Sequence, residues 1–254
     1  MFDTHIHTEF STDSEMKIEE AIAAANEEDI GITLTDHMDT NHPKPGMFVF
    51  DVDEYFAKYN KYRDDKLLLG IEIGLSLEFL KKNEEIANNN SFDYVIGAIH
   101  FLDGYDLYFS EAYNGKTREQ AFNKYLDSMY QNVKRADFID TLAHIDYICR
   151  YAIYEDKELH YEEYQEKIDA ILKLVIDKGI VLELNTRRLN DRMAIDNLLK
   201  IYKVYRSFGG KYVTLASDAH VKENIGAYFA TAQDMCRTIG LNIVYFKNRK
   251  IELA

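Results

Sequence analysis

The chain is poor in the residues that staple small extracellular folds. It has two cysteines, Cys149 and Cys236, far apart and without a partner motif. That pattern reads as two buried, reduced thiols rather than a disulfide or a thiolate metal site. Two prolines and 12 glycines exclude collagen-like and low-complexity chains. No apolar run approaches the roughly 18 residues a membrane span needs. Basic residues are outnumbered 30 to 44, for a formal net charge of −14. A nucleic-acid binder needs a basic face, so none is expected. A small anion remains admissible if cations, including metals, reverse the sign inside a pocket. The opening MFDTHIHTEF lacks a charged region followed by an apolar stretch. No signal peptide is therefore expected, and the cytoplasm is the expected location.

What is present is a globular composition of enzyme size: 254 residues, 46% hydrophobic and 29% charged. Such a chain buries about three quarters of its unfolded surface and needs no staple or partner for a core. Short runs rich in Ile, Leu, Val and Thr predict strands at 2–7, 31–36, 67–73, 93–99, 139–144, 180–185 and 212–217. Between them, helical patterns occupy 17–28, 53–64, 76–88, 118–135, 161–178, 194–208 and 223–239. In 161–178, Ile168, Ile171, Leu172 and Val175 form one stripe. Strand–helix alternation repeated in this way predicts an α/β fold, a parallel sheet with helices outside. No linker or composition shift divides the chain, so 1–254 reads as one domain. Two irregular stretches, 38–52 and 102–116, follow predicted strands and belong on the rim where loops carry function.

The histidines carry the chemistry. Of eight, six fall at predicted strand ends: His5, His7, His37, His100, His144 and His220. Glu72 closes the third strand and Asp218 follows the seventh. In a parallel barrel all strand C-termini face one rim, so distant segments deliver one cluster. Each piece has a plain explanation. His5 and His7 share a strand face, but a surface pair would look the same. Thr35-Asp36-His37 could be a helix-capping turn, and His100 or His144 a satisfied core histidine. Glu72 inside LLLGIEIGL resists this, because a buried unpaired carboxylate is costly. The coincidence of six histidines on one rim decides for a multinuclear metal site. Imidazole and carboxylate ligands without thiolate suit Zn, Mn or Fe. With Asp13 the ligand candidates number nine, too many for one tetrahedral ion, so two or three divalent ions are implied. Three divalent ions against Asp13, Glu72 and Asp218 leave a positive hole that suits a phosphate.

The series DTHIHTEFSTDS, TDH at 35–37, a strand Glu, GAIH, LAHID and SDAH resembles the PHP (polymerase and histidinol phosphatase) superfamily over essentially the whole chain. DTHIHTEFSTDS and GAIHFLDG most resemble its histidinol-phosphatase branch. The resemblance implies a distorted (β/α)7 TIM-like barrel, which agrees with the seven predicted strands. It implies three metal positions. The first uses His5, His7, Glu72 and Asp218; the second uses Glu72 as a bridge with His100 and His144; the third uses Asp13, His37 and His220. Many members carry His where this chain has Asp13.

The implied reaction is hydrolysis of L-histidinol phosphate to L-histidinol and phosphate in histidine biosynthesis. A hydroxide bridging two ions attacks phosphorus in line. Asp218, Glu72 and His220 are the catalytic candidates, with Asp218 or a bound water protonating the leaving alcohol. A phosphate also calls for an arginine fork. The candidates are Arg150, Arg187 and Arg188, with Arg150 and Arg187 favoured and Asn185 as a strand-end polar contact. His42 is expected to be solvated and His160 structural. The expected partner is a small phosphorylated molecule; oligomeric state is open.

Other readings stay in view. Amidohydrolases share the HxH but usually carry a lysine at the fourth strand end, where this chain has Ala98-Ile99-His100. Within the resemblance, tyrosine phosphatases differ after the second His, and exonucleases suit a basic chain better. A silent metal-binding scaffold would be expected to have lost ligands first.

Overall fold

The computed structural model describes residues 1–254. Seven strands form in the expected places: β1 (Phe2–Ile6), β2 (Gly31–Leu34), β3 (Leu67–Gly74), β4 (Tyr94–Ala98), β5 (Thr141–Leu142), β6 (Val181–Asn185) and β7 (Tyr212–Ala216). They lie side by side in chain order, and each neighbouring pair is parallel. Their burial is nearly complete from end to end, as a sheet covered on both faces requires. The connections carry helices α1 (Ile18–Glu27), α2 (Val52–Tyr59), α3 (Leu80–Asn89), α4 (Arg118–Arg135), the short α5 (Ile148–Tyr151), α6 (Gln165–Asp177), α7 (Arg192–Ser207) and α8 (Phe229–Ile239). The stripe Ile168, Ile171, Leu172 and Val175 is the buried face of α6. Thr117 caps α4: its Oγ accepts from the Gln120 main chain, and the Gln120 side chain accepts in return. A contiguous core of 61 buried side chains joins helices to sheet.

The first and seventh strands approach each other at the rim. His7 N–H donates to Ala219 O at 2.8 Å, and Asp218 N–H donates to His5 O at 2.8 Å. Thr4 Oγ donates to Leu215 O at 2.9 Å. Asp3 reinforces the seam by accepting from Ser217 N (2.9 Å), Ser217 Oγ (2.5 Å) and Gly226 N (2.9 Å). Burial outweighs these bonds and pushes its carboxyl up to about 6. At the opposite end the ring is distorted by two strands absent from the expected set, β8 (Asn242–Lys247) and β9 (Lys250–Leu253). β8 extends the sheet parallel to β7, and β9 folds back antiparallel. Val244 and Phe246 enter the barrel interior with Tyr94, Ile96, Ala98, Ala143 and Val181.

Two helix starts and one loop show where local pattern and structure part; α2, β5 and α6 are also shorter than expected. α3 begins at Leu80 rather than 76, after the turn at 76–79. α8 begins at Phe229 rather than 223. The Asp3 bond holds Gly226 at φ +69°, and Tyr228 is left-handed at φ +60°, so no helix passes through them. The stretch 102–116 is partly ordered by a small antiparallel pair, Phe101–Leu102 with Tyr105–Asp106.

Candidate metal centre

Each rim residue arrives on its strand for a local reason. β1 delivers His5 and the following His7 on one face. β2 breaks at Thr35–Asp36, and the chain resumes pairing at His37–Met38, which registers His37 beside Glu72 of β3. Thr35-Asp36-His37 is therefore a strand interruption, not a helix cap. The turned Asp36 carboxylate accepts from Thr8 N (2.6 Å), Thr8 Oγ (2.7 Å) and Ser11 Oγ (2.7 Å). Those bonds anchor the loop that carries Asp13. His100 and His144 follow β4 and β5, and Asp218 and His220 follow β7. Asp218 sits at φ +56°, a strained conformation for a side-chain-bearing residue.

Glu72 is the hub. Its Oε2 lies 3.3 Å from His5 Nε2, 3.7 Å from His7 Nε2 and 2.8 Å from His37 Nδ1. Its Oε1 lies 3.2 Å from His100 Nε2 and 3.0 Å from His144 Nε2. Asp218 Oδ1 is 3.3 Å from His7 Nε2 and 3.9 Å from His5 Nε2. Half-exposed Asp13 lies 3.7 Å from His37 Nε2 and 3.1 Å from His220 Nε2. All nine expected ligands are thus brought into one cluster, and the three expected sets are each contiguous. Three further groupings overlap them: His7, His37 and His220 are close enough to share an ion, as are His5, Glu72 and His144, and His37, Asp39 and His100.

The donor set fits cations. Six buried atoms of the cluster have no hydrogen-bond partner of good geometry: Nε2 of His5, His7 and His100, Nδ1 of His37 and His144, and Glu72 Oε2. Leaving such groups unsatisfied costs about 1–3 kcal/mol each, more for charged groups. Electrostatics point the same way. Burial alone would raise Glu72, but His5, His100 and His37 hold it well below the usual carboxylate range. Burial alone would lower His37, but Glu72 and Asp13 hold it up at about 10. His5 and His100 are raised by the surrounding carboxylates against the same burial. His7 is lowered well below its ordinary value by burial and by its neighbours His220 and His37.

Sequence reasoning missed the groups that hold the ligands. His5 Nδ1–H donates to Glu183 at 2.7 Å, His100 Nδ1–H to Asp39 at 3.0 Å, and His7 Nδ1–H to Ser11 Oγ at 3.0 Å. These bonds select the tautomer that aims Nε2 inward. The VLELN run around Glu183 carries the same signal as LLLGIEIGL, a lone acid in an apolar strand.

A cavity of about 40 Å³ opens over the cluster, with Tyr147, Tyr151, Arg150 and Arg187 among its walls. Arg150 is buried; Nη1 donates to Asp218 Oδ2 at 2.6 Å and Nη2 to Asn185 Oδ1 at 2.9 Å. Its guanidinium lies over the Tyr147 ring at 5.0 Å. Arg187 is half-exposed and reaches Asp218 O at 3.2 Å. Two candidates sit elsewhere. Arg188 is spent on Asp146 and Glu158, clamping the segment after His144. Asn185 does not line the cavity; its amide is consumed by Arg150 and Glu183, so it orients the arginine. His42 is half-buried against Phe48 and Phe101 rather than solvated, and His160 bonds Asn197 and Asp156.

Comparison with known proteins follows the same line. The chain is 47% identical over 254 residues, covering 100% of both chains, to a protein of Clostridium acetobutylicum named probable histidinol-phosphatase. It is 29% identical over 262 residues to the histidinol-phosphatase of Lactococcus lactis, covering 98% of this chain and 96% of that one. A crystal structure of histidinol phosphate phosphatase from Lactococcus lactis, complexed with zinc, L-histidinol and phosphate, superimposes with a TM-score of 0.93. The identity there is 28%, over 99% of this chain and 98% of that chain. The PHP domain model matches residues 3–187. With that match, and with the cluster at the rim of its seven parallel strands, the chain belongs to the PHP domain family.

Proposed function

We propose that this chain is a metal-dependent phosphomonoesterase that hydrolyses L-histidinol phosphate to L-histidinol and phosphate. The observation that carries the reading is the Glu72-centred cluster of buried, partnerless ligand atoms facing a cavity walled by two arginines. The match to a histidinol phosphatase structure over the full chain supports the substrate. The same reading places the protein in histidine biosynthesis and in the cytoplasm, with two or three divalent ions of Zn, Mn or Fe.

His5, His7, Glu72 and Asp218 would hold one ion, Glu72, His100 and His144 a second, and Asp13, His37 and His220 a third. Bound divalent cations supply Lewis acidity: they acidify water into a nucleophile at neutral pH and neutralise the phosphate's charge. The chain's own groups do the rest. Arg150 is pre-oriented by Asp218, Asn185 and the Tyr147 ring, and as a wall of the cavity its guanidinium offers its remaining N–H groups to a phosphate oxygen. Arg187, at the exposed side of the cavity, offers a second cationic contact. Burial would raise Asp218, but Arg150 and His5 hold it well below the carboxylate range. It therefore holds negative charge in the metal-free site, and it or a bound water would supply the proton to the leaving alcohol. Burial pushes the half-buried Tyr147 hydroxyl well up, so it stays protonated in the cavity wall.

The test is phosphate release from L-histidinol phosphate by Mn- or Zn-loaded protein beside phosphotyrosine. A large preference in kcat/KM for histidinol phosphate is expected. Equal weak rates would overturn the substrate, and no release from either would overturn the phosphatase chemistry.

A further inference from the structure

Six of the seven barrel strands lead into a proposed ligand; β6 does not. What β6 contributes is Glu183, fully buried, whose one ion-pair partner is His5. A carboxylate inside a barrel without a lysine or arginine is costly to maintain, so its contacts need an account. Oε1 accepts from His5 Nδ1 at 2.7 Å. Oε2 accepts from the main-chain N–H of His144 at 2.9 Å and from Asn185 Nδ2 at 3.0 Å. His5 and His144 belong to different proposed ion positions. Asn185, two residues along the same strand face, accepts from Arg150 Nη2 at its Oδ1, 2.9 Å away.

We infer that Glu183 is a positioning residue that ties two ion positions and the phosphate-binding arginine to one carboxylate. One oxygen fixes the His5 ring with its proton on Nδ1 and its Nε2 lone pair toward Glu72. The other oxygen fixes the backbone that carries His144 and, through Asn185, the plane of the Arg150 fork. β6 lies beside β5, which leads to His144, and the Glu183 side chain on its inner face meets both that backbone and His5 of β1. This inference rests on the metal reading proposed above.

Glu183→Gln tests it, with Glu72→Gln and Asn185→Ala beside it. Zinc affinity is read by chelator competition, the ligand field by the visible spectrum of the Co-loaded protein, and kcat and KM by phosphate release. Glu183→Gln is expected to weaken metal binding about 10- to 100-fold, to change the cobalt spectrum and to raise KM. Asn185→Ala is expected to raise KM several-fold with metal affinity unchanged. If Glu72→Gln loses metal while Glu183→Gln binds as tightly with the wild-type spectrum, the role of Glu183 is overturned and the metal reading stands. If neither variant alters metal affinity, the metal reading itself falls. An unchanged KM in Asn185→Ala overturns the link to Arg150. Should Glu183→Gln not fold, Glu183→Asp, which keeps the charge and shortens the arm, is read by the same measurements with the same expected directions.

Discussion

At the scale of residues, Glu72 and Glu183 show how far a linear reading goes. Both are single acids in apolar strands, and both are fully buried. Sequence reasoning singles out Glu72 because the strand also fits a ligand pattern, and it passes over Glu183 because no motif marks a residue that acts through a histidine's far nitrogen. Arg150 shows the converse. Its presence near LAHID is legible, but its orientation depends on Asp218, Asn185 and Tyr147 arriving around it. Replacing Arg150 by Ala removes a charge-assisted donor whose worth is about 1.5–3 kcal/mol. KM for the phosphate ester should rise about 10- to 100-fold while metal content holds, and an unchanged KM would move the phosphate contact to Arg187.

The titration of the cluster gives a second prediction at this scale. His37 is held at about 10, and His5 and His100 are also raised. These groups carry protons at neutral pH in the metal-free protein, and an incoming cation must displace them. Zinc affinity should therefore fall as pH falls, and binding at pH 7 should release protons. Calorimetric zinc titrations in buffers of different ionisation heat read this directly; heats independent of buffer would contradict it. The sign for folding is the opposite. In the metal-free protein the contribution of protonated His37 is fully present below its ordinary value of 6.5 and is lost as pH rises through about 10.

At the scale of elements, the seven strands and most helices are legible because periodicity and apolar runs are local signals. The exceptions have specific causes. α8 starts late because Gly226 is held by Asp3, 223 residues away. β8 and β9 escape strand–helix alternation because they form a hairpin, with Asn248 and Arg249 both at positive φ in its turn. One glycine links element to site. A side-chain methyl at Gly74, at the end of β3, would overlap the Asp39 carboxylate that orients His100. Gly74→Ala should therefore weaken metal binding about 10- to 100-fold with a cooperative unfolding transition retained. Wild-type metal affinity in that variant would show that Asp39 does not position His100.

At the scale of the whole molecule, the cluster closes the barrel as much as the barrel builds the cluster. β1 and β7 meet through rim bonds at His5, His7, Asp218 and Ala219, where the ligands also sit. Cations bound there would cross-link six strands and so favour the folded chain. Chelation should lower the thermal midpoint, since a ligand at 1,000 times its Kd stabilises by about 4.1 kcal/mol. A midpoint unmoved by exhaustive chelation and by added zinc would sink the metal centre. No helix is long and apolar enough to cross a membrane.

The seven parallel strands, helix faces, the rim position of the histidines and the cost of burying Glu72 are determined by the chain itself, because each depends on residues a few positions apart. Which oxygen holds each imidazole, which arginine faces the cavity and where the barrel closes were decided only by the tertiary structure. Those contacts join residues 178 apart for His5 and Glu183, 61 for His100 and Asp39, and 68 for Arg150 and Asp218. No periodicity spans such separations; only the parallel stacking of the strands brings these partners together.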